Sequence, residues 1–159
     1  MKQFEFEKNT IILYVKKSPL IIRAIFLIIS ILFFLLPISG MALAMQNGSP
    51  LKIGYLIGIG LGGLLGFYIF RIYLWNSFGK EIIIFNNNEV SYEADYRLFK
   101  DGKKDKTFDV LTYSITPIGY EEENLGLLTI GVDENIIESV VKLPINQLEE
   151  LIHKIENKK

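Results

Sequence analysis

The segment Ala24-Ile-Phe-Leu-Ile-Ile-Ser-Ile-Leu-Phe-Phe-Leu-Leu-Pro-Ile-Ser-Gly-Met-Ala-Leu-Ala-Met45 decides how the rest of the chain is read. It holds 22 consecutive residues without a charge. At about 1.5 Å per residue, a helix of that length covers roughly 33 Å, enough to cross a hydrocarbon core of about 30 Å. Pro37 lies inside it. In lipid, neighbouring groups can satisfy the carbonyl that a proline frees, so a kink is expected rather than a break. After the short polar turn Gln46-Asn-Gly-Ser-Pro50, a second apolar span runs from Ile53 to Leu74. Two long helices joined so tightly form an antiparallel hairpin, which places both chain ends on one side of a bilayer.

Charge follows the same division. Between Ala24 and Phe70 the one charged residue is Lys52, so 34 of the 35 formal charges in this 159-residue chain lie elsewhere. The formal net charge of −1 hides two unlike parts: residues 1–75 carry 7 basic and 2 acidic groups, and residues 76–159 carry 10 basic and 16 acidic. An acidic second part argues against nucleic acid as a partner and against a basic surface laid on anionic lipid. The chain has no cysteine and one histidine, His153. That removes disulfides, thiolate nucleophiles and multi-histidine metal sites. A cleavable signal peptide does not fit, although Ala42-Leu43-Ala44 has the small-x-small form: the apolar run exceeds the roughly 7–15 residues of a signal core. The 25 Ile against 6 Val suggest the codon usage of an AT-rich bacterial genome.

Lys2, Lys8, Lys16, Lys17 and Arg23 precede the first span, Arg71 and Lys80 border the second, and the connecting turn offers Lys52. The excess of positive charge on the cytoplasmic side predicts both termini in the cytoplasm of a bacterial inner membrane. Arg23, Arg71, Tyr73 and Trp75 are the expected interface residues, with arginines snorkelling and aromatic rings at headgroup depth. In the second span Gly54, Gly58, Gly62 and Gly66 recur every four residues. They make a groove without side chains along one helix face, which admits a second helix. Packing against the first span and association with another copy or a membrane-protein partner are both open readings. Neither span carries a buried charge, which argues against an ion or proton path.

Residues 76–159 read as strands until near the end. Glu81–Phe85 is a short apolar run, followed by the turn-forming Asn86-Asn87-Asn88. From Glu89 to Leu98, Val90, Tyr92, Ala94 and Tyr96 share one face. Lys100-Asp101-Gly102-Lys103 carries an Asp-Gly turn signal. Thr107–Ile115, Leu125–Val132 and Ile136–Leu143 complete about five strands, mainly antiparallel. The period then changes: Ile145, Leu148, Leu151, Ile152 and Ile155 predict a helix over 144–157, opened by Pro144. At the other end Phe4 and Phe6 alternate with Glu5 and Glu7, so residues 1–20 form a β segment able to join the sheet and close one of its edges. The expected organisation is a β segment at 1–20, a hairpin at 21–75 and a β-rich part at 76–159. The fold class is α+β: a transmembrane hairpin with a small antiparallel sheet closed by a C-terminal helix.

This layout (the hairpin at 24–74, the β-rich run at 81–143 and the helix opening at Pro144-Ile-Asn-Gln-Leu148) resembles small bacterial membrane proteins with a cytoplasmic pleckstrin-homology-like domain. Ile118-Gly-Tyr-Glu-Glu-Glu-Asn-Leu-Gly126 looks like a segment of uncharacterised members. Five strands are fewer than the seven of a full pleckstrin-homology sheet, unless residues 3–16 supply the rest. The resemblance implies no catalytic activity and no cofactor. In eukaryotic members basic loop residues bind phosphoinositides, and Lys100, Lys103, Lys104 and Lys106 are the basic cluster here, expected on one turn. Asp101 and Asp105 offset two of those charges, so a solvated hairpin tip competes with contact to lipid headgroups.

Other side chains carry weaker signals. Glu121-Glu122-Glu123 with Asp133 or Glu134 lacks the spacing of a calcium loop and reads as solvated, so no metal is expected. His153 reads as a partly exposed helix residue. Asp95-Tyr96-Arg97 fits an ion pair or a partner contact. No nucleophile elbow, phosphate loop or paired catalytic carboxylate is present. The expected function is a non-enzymatic membrane protein whose hairpin anchors an interaction or scaffolding domain, with the bilayer and a protein as partners and no small-molecule substrate. The alternative is an immunity protein or accessory subunit that docks through the glycine face.

Overall fold

The computed structural model describes residues 2–132 and 135–157, with only the backbone of Glu121. The chain forms two compact units: Lys17–Ser77, and the residues up to Lys16 together with those from Phe78 onward. The class is mixed α+β, with two long apolar helices, antiparallel sheets and a C-terminal helix.

The first unit is the hairpin. Its helices α1 (Leu20–Gln46, 27 residues) and α2 (Ile53–Phe78, 26 residues) are long and apolar enough to cross a membrane. Only 6% and 11% of their most apolar windows are buried, whereas a core helix of a soluble protein would bury most of that length. Both run beyond the expected spans, because residues 20–23 and those after Leu74 continue the helical backbone. α1 passes through Pro37 without ending. Its C-terminus closes where Ser49 N–H donates to the Ala44 carbonyl and Gly48 N–H to that of Met45, both at 3.0 Å. This Schellman arrangement needs a left-handed residue, and Gly48 supplies it at φ +79°. At the other end of the hairpin the Ser18 hydroxyl lies 2.7 Å from Asn76 Oδ1.

The second unit has two antiparallel sheets. Five strands lie in sequence order: β1 (Phe4–Glu7), β2 (Thr10–Tyr14), β3 (Lys80–Asn86), β4 (Glu89–Asp95) and β5 (Lys100–Thr107). In the other sheet β7 (Leu125–Val132) pairs with β6 (Tyr113–Ile118) on one edge. On the opposite edge it pairs with β8 (Asn135–Glu138) and the two-residue β9 (Leu143–Pro144). Helix α3 (Ile145–Glu156) packs on β1, β6, β7 and β9, burying Leu148, Leu151 and Ile155. Gly126 lets it come close: a Cβ there would lie 3.2 Å from Leu148 and 2.7 Å from Ile115.

Period-two alternation accounts for the core. Phe4, Ile11, Leu13, Ile83, Val90 and Tyr92 point inward from the first sheet, and Leu128, Ile130 and Ile137 from the second. β2 pairs with β3 from Thr10↔Ile84 to Tyr14↔Lys80. The chain therefore leaves for the hairpin from one strand and returns into its antiparallel neighbour.

Several strands depart from expectation. Residues 80–144 hold seven described strand segments rather than five. β4 stops at Asp95, and the turn lies at 96–99, where Tyr96 N–H donates to the Phe99 carbonyl. Lys100–Lys106 is therefore not a turn but most of the edge strand β5. The Asp-Gly pair serves as a β-bulge: Gly102 and Lys103 face Glu93 between the pairs Ala94↔Asp101 and Tyr92↔Lys104. Gly102 is at φ +65°, a conformation that suits a bulge as well as a turn. The expected strand 107–115 is interrupted between Thr107 and Tyr113, and 136–143 divides into β8 and β9. α3 begins at Ile145, with Pro144 as the preceding residue in extended conformation.

Candidate functional site

The four glycines of α2 are not equivalent. A Cβ on Gly62 would lie 2.7 Å from both the Phe33 carbonyl oxygen and the Pro37 ring. One on Gly66 would lie 2.8 Å from the Phe34 ring and 3.1 Å from the Ser30 carbonyl oxygen. These two are buried against α1, where the Ser30 hydroxyl donates to the Gly66 carbonyl at 2.8 Å. Among the described residues nothing lies within 4 Å of where a Cβ on Gly54 or Gly58 would sit. The intramolecular reading of the groove thus describes its second half, and the first half is uncovered.

Of the residues expected at a membrane interface, Arg23 lies in the first turn of α1, and its Nε is buried without a hydrogen-bond partner among the described residues. Arg71, Tyr73 and Trp75 lie in the last third of α2, and the Tyr73 ring stacks on Phe70 at 5.9 Å.

The lysines of β5 are divided by the sheet. Lys100 pairs with Glu93, and Lys103 with Asp105 at 3.0 Å. Lys104 and Lys106 stand opposite Tyr92 and Val90, on the core side of the edge, and the Lys104 ammonium lies 5.7 Å from the Tyr92 ring centre. Charges on an edge strand, some turned inward, discourage pairing with another chain. Asp95 is used locally: its carboxylate accepts from Arg97 N–H at 2.7 Å and lies 3.5 Å from Lys80 Nζ, while the Arg97 guanidinium lies over the Phe78 ring.

Sequence reasoning missed the most polar point of the core. Glu81 is fully buried. Its carboxylate accepts from the Tyr92 hydroxyl at 2.6 Å, from Val140 N–H at 2.6 Å and from Val141 N–H at 3.2 Å. One side chain thereby ties β3 and β4 to the segment that follows β8. Burial pushes its pKa up, against the three hydrogen bonds and the Lys104 charge, which pull it down. Burial and the nearby carboxylate push the Tyr92 hydroxyl up, so it remains a donor. The available signal was register: Glu81 falls on the same face as Ile83 and Phe85, a place a carboxylate occupies only with partners.

Beside this node the two sheets part. Asn135 Nδ2 donates to the Thr107 carbonyl at 2.9 Å, holding the ends of β5 and β8 together. Beyond that contact a cleft with a volume near 560 Å³ opens. Ile118, Leu127, Ile136 and Val140 form its apolar lining, and Lys104, Lys142 and Glu138 its charged groups.

The remaining candidates stay apart. His153 is exposed on α3, with the Asn157 amide beside its ring. Glu121–Glu123 forms a single turn of 3-10 helix, and the suggested co-ligands Asp133 and Glu134 lie outside the described residues. Among the described residues no three acidic or histidine side chains converge as a metal would require. No protein-family model, no curated protein and no solved structure matches the chain. What its own fold defines is an α+β protein with two helices of membrane-crossing length.

Proposed function

We propose that this is a non-enzymatic integral protein of a bacterial inner membrane, whose hairpin anchors a cytoplasmic, pleckstrin-homology-like interaction or scaffolding domain. The observation that carries the reading is the pairing of β2 with β3 across the whole hairpin. A sheet built from both flanks requires both flanks on one side of a bilayer, and the basic residues before α1 and after α2 favour the cytoplasmic side. The non-enzymatic part rests on how the acidic groups are used. Glu81 braces the core, Glu93 pairs with Lys100, and Glu150 pairs with Lys2 and Lys154.

A cysteine placed at Asn47, in a chain that has none, should react with a membrane-impermeant maleimide from outside spheroplasts. One placed at Asn146 should react only after permeabilisation. Labelling of Asn47 from the cytoplasmic side alone would refute the orientation.

A second reading, an immunity protein or accessory subunit docking through the glycine face, is favoured by the uncovered Gly54 and Gly58. In that case Gly58→Leu abolishes in-cell crosslinking to the partner while the hairpin stays folded.

A further inference from the structure

We propose that the cleft between β5 and β8 receives an extended segment of a partner protein in which apolar residues alternate with Asp or Glu. This rests on the reading of the second unit as an interaction domain and names its docking site.

Three independent features select that occupant. The first is backbone. Ser139 N–H donates to the Leu128 carbonyl, so alternation turns the amide groups of Asn135 and Ile137 toward β7 and those of Ile136 and Glu138 away from it. Among the described residues nothing else takes up the Ile136 and Glu138 groups. On the facing edge, Phe108 N–H donates to Asn88, which turns Lys104 and Lys106 toward β4 and Asp105 outward. An added strand can therefore hydrogen-bond to β8, the main-chain mode of peptide recognition.

The second feature is the lining. Val140 is 62% exposed and Ile136 38%, an apolar surface left open beside a closed core. A strand presents every second side chain to one face, so its apolar residues would meet this surface and the intervening ones would not.

The third is charge. The second unit is acidic, yet this cleft is flanked by Lys104 and Lys142. Lys104 already lies over the Tyr92 ring, and Lys142 has no carboxylate partner among the described residues. Glu138 is the opposing charge in the cleft and leaves a positive excess. Acidic side chains at the intervening positions of the segment meet that excess, and lysines there would not.

The test uses the full chain in zwitterionic nanodiscs. Fluorescence anisotropy would follow three labelled octapeptides: valine alternating with glutamate, valine alternating with lysine, and the valine–glutamate peptide interrupted by proline. The first should bind, with the other two at least tenfold weaker. Lys104→Glu combined with Lys142→Glu should weaken the first peptide at least tenfold, the neutral Lys104→Gln with Lys142→Gln less so, and Lys52→Glu not at all. Circular dichroism would confirm that each variant is folded. Equal binding of all three peptides, binding untouched by the lysine changes, or no binding by any peptide would each overturn the proposal. Photo-crosslinkers at Val110 and Tyr120, exposed elsewhere on the same unit, separate this from the broader reading. Partner crosslinks there without peptide binding leave an interaction domain with a different docking site. Their absence as well removes both.

Discussion

Glu81 and Glu150 lie in one unit and titrate in opposite senses. Glu81 binds its proton more tightly folded than unfolded, because burial penalises its charge. Its proton-linked stability is therefore fully present below the ordinary value of 4.5 and is lost as pH rises through the raised folded value. Glu150 is exposed and held down to about 2 by Lys154 and Lys2. What it contributes is present above 4.5 and lost as pH falls toward about 2. Glu81→Gln should cost about 1–3 kcal/mol, because one amide cannot accept all three donors and would face an N–H with another N–H. The stability gap between wild type and this variant should widen as pH falls from neutral toward 4.5, as denaturant titrations at several pH values would show. A gap constant across that window would mean that Glu81 does not titrate there.

In the hairpin, the four-residue period of the glycines was plain from sequence, but not which of them the first helix would use. A Cβ on Gly62 meets a backbone carbonyl and the Pro37 ring, neither of which can swing away. Gly62→Ala should therefore destabilise the hairpin by about 1–3 kcal/mol, as overpacked cores do. Gly58→Ala, into open space, should stay within about 0.5 kcal/mol. Thermal unfolding in detergent would separate the two. Ser30→Ala should cost roughly 0.6 kcal/mol, the average of interhelical hydrogen bonds in membranes. The strands teach a complementary lesson. Asp101-Gly102 signals a positive-φ position correctly, but a turn and a bulge make the same local demand. The turn instead lies at 96–99, where the Tyr96 and Phe99 rings stack at 4.9 Å.

Across the molecule, β1 and β2 connect what the sequence separates. They cover the edge of β3, and the residues just before β1 reach α3 through Gln3 N–H to Gln147 and the Lys2–Glu150 pair. Residues 76–159 expressed alone would expose the β3 edge and uncover the buried face that Phe4 and Leu13 fill. They should aggregate or remain loosely packed. Adding residues 2–16 through a short flexible linker in place of the hairpin should restore a monomer with dispersed amide signals. A well-folded fragment without them would contradict the role assigned to these strands.

Hydropathy and charge order, read along the chain, determined the two membrane-length helices, the acidic second part, the inward face of β4 and the closing helix. Each depends on residues within a few positions of one another. The tertiary structure decided which glycines meet α1, where the lysines of β5 lie, what Glu81 holds, and that β5 and β8 part to leave a cleft. The β5 lysines are placed by a register with β4 whose pairs lie 5 to 18 residues apart, from Asp95↔Lys100 to Glu89↔Thr107, and the helix and core contacts by partners about 30 to 60 residues apart, as Ser30 is from Gly66 and Glu81 from Val140. Local periodicity tells a side chain which face it occupies, but only the packed chain determines what lies opposite.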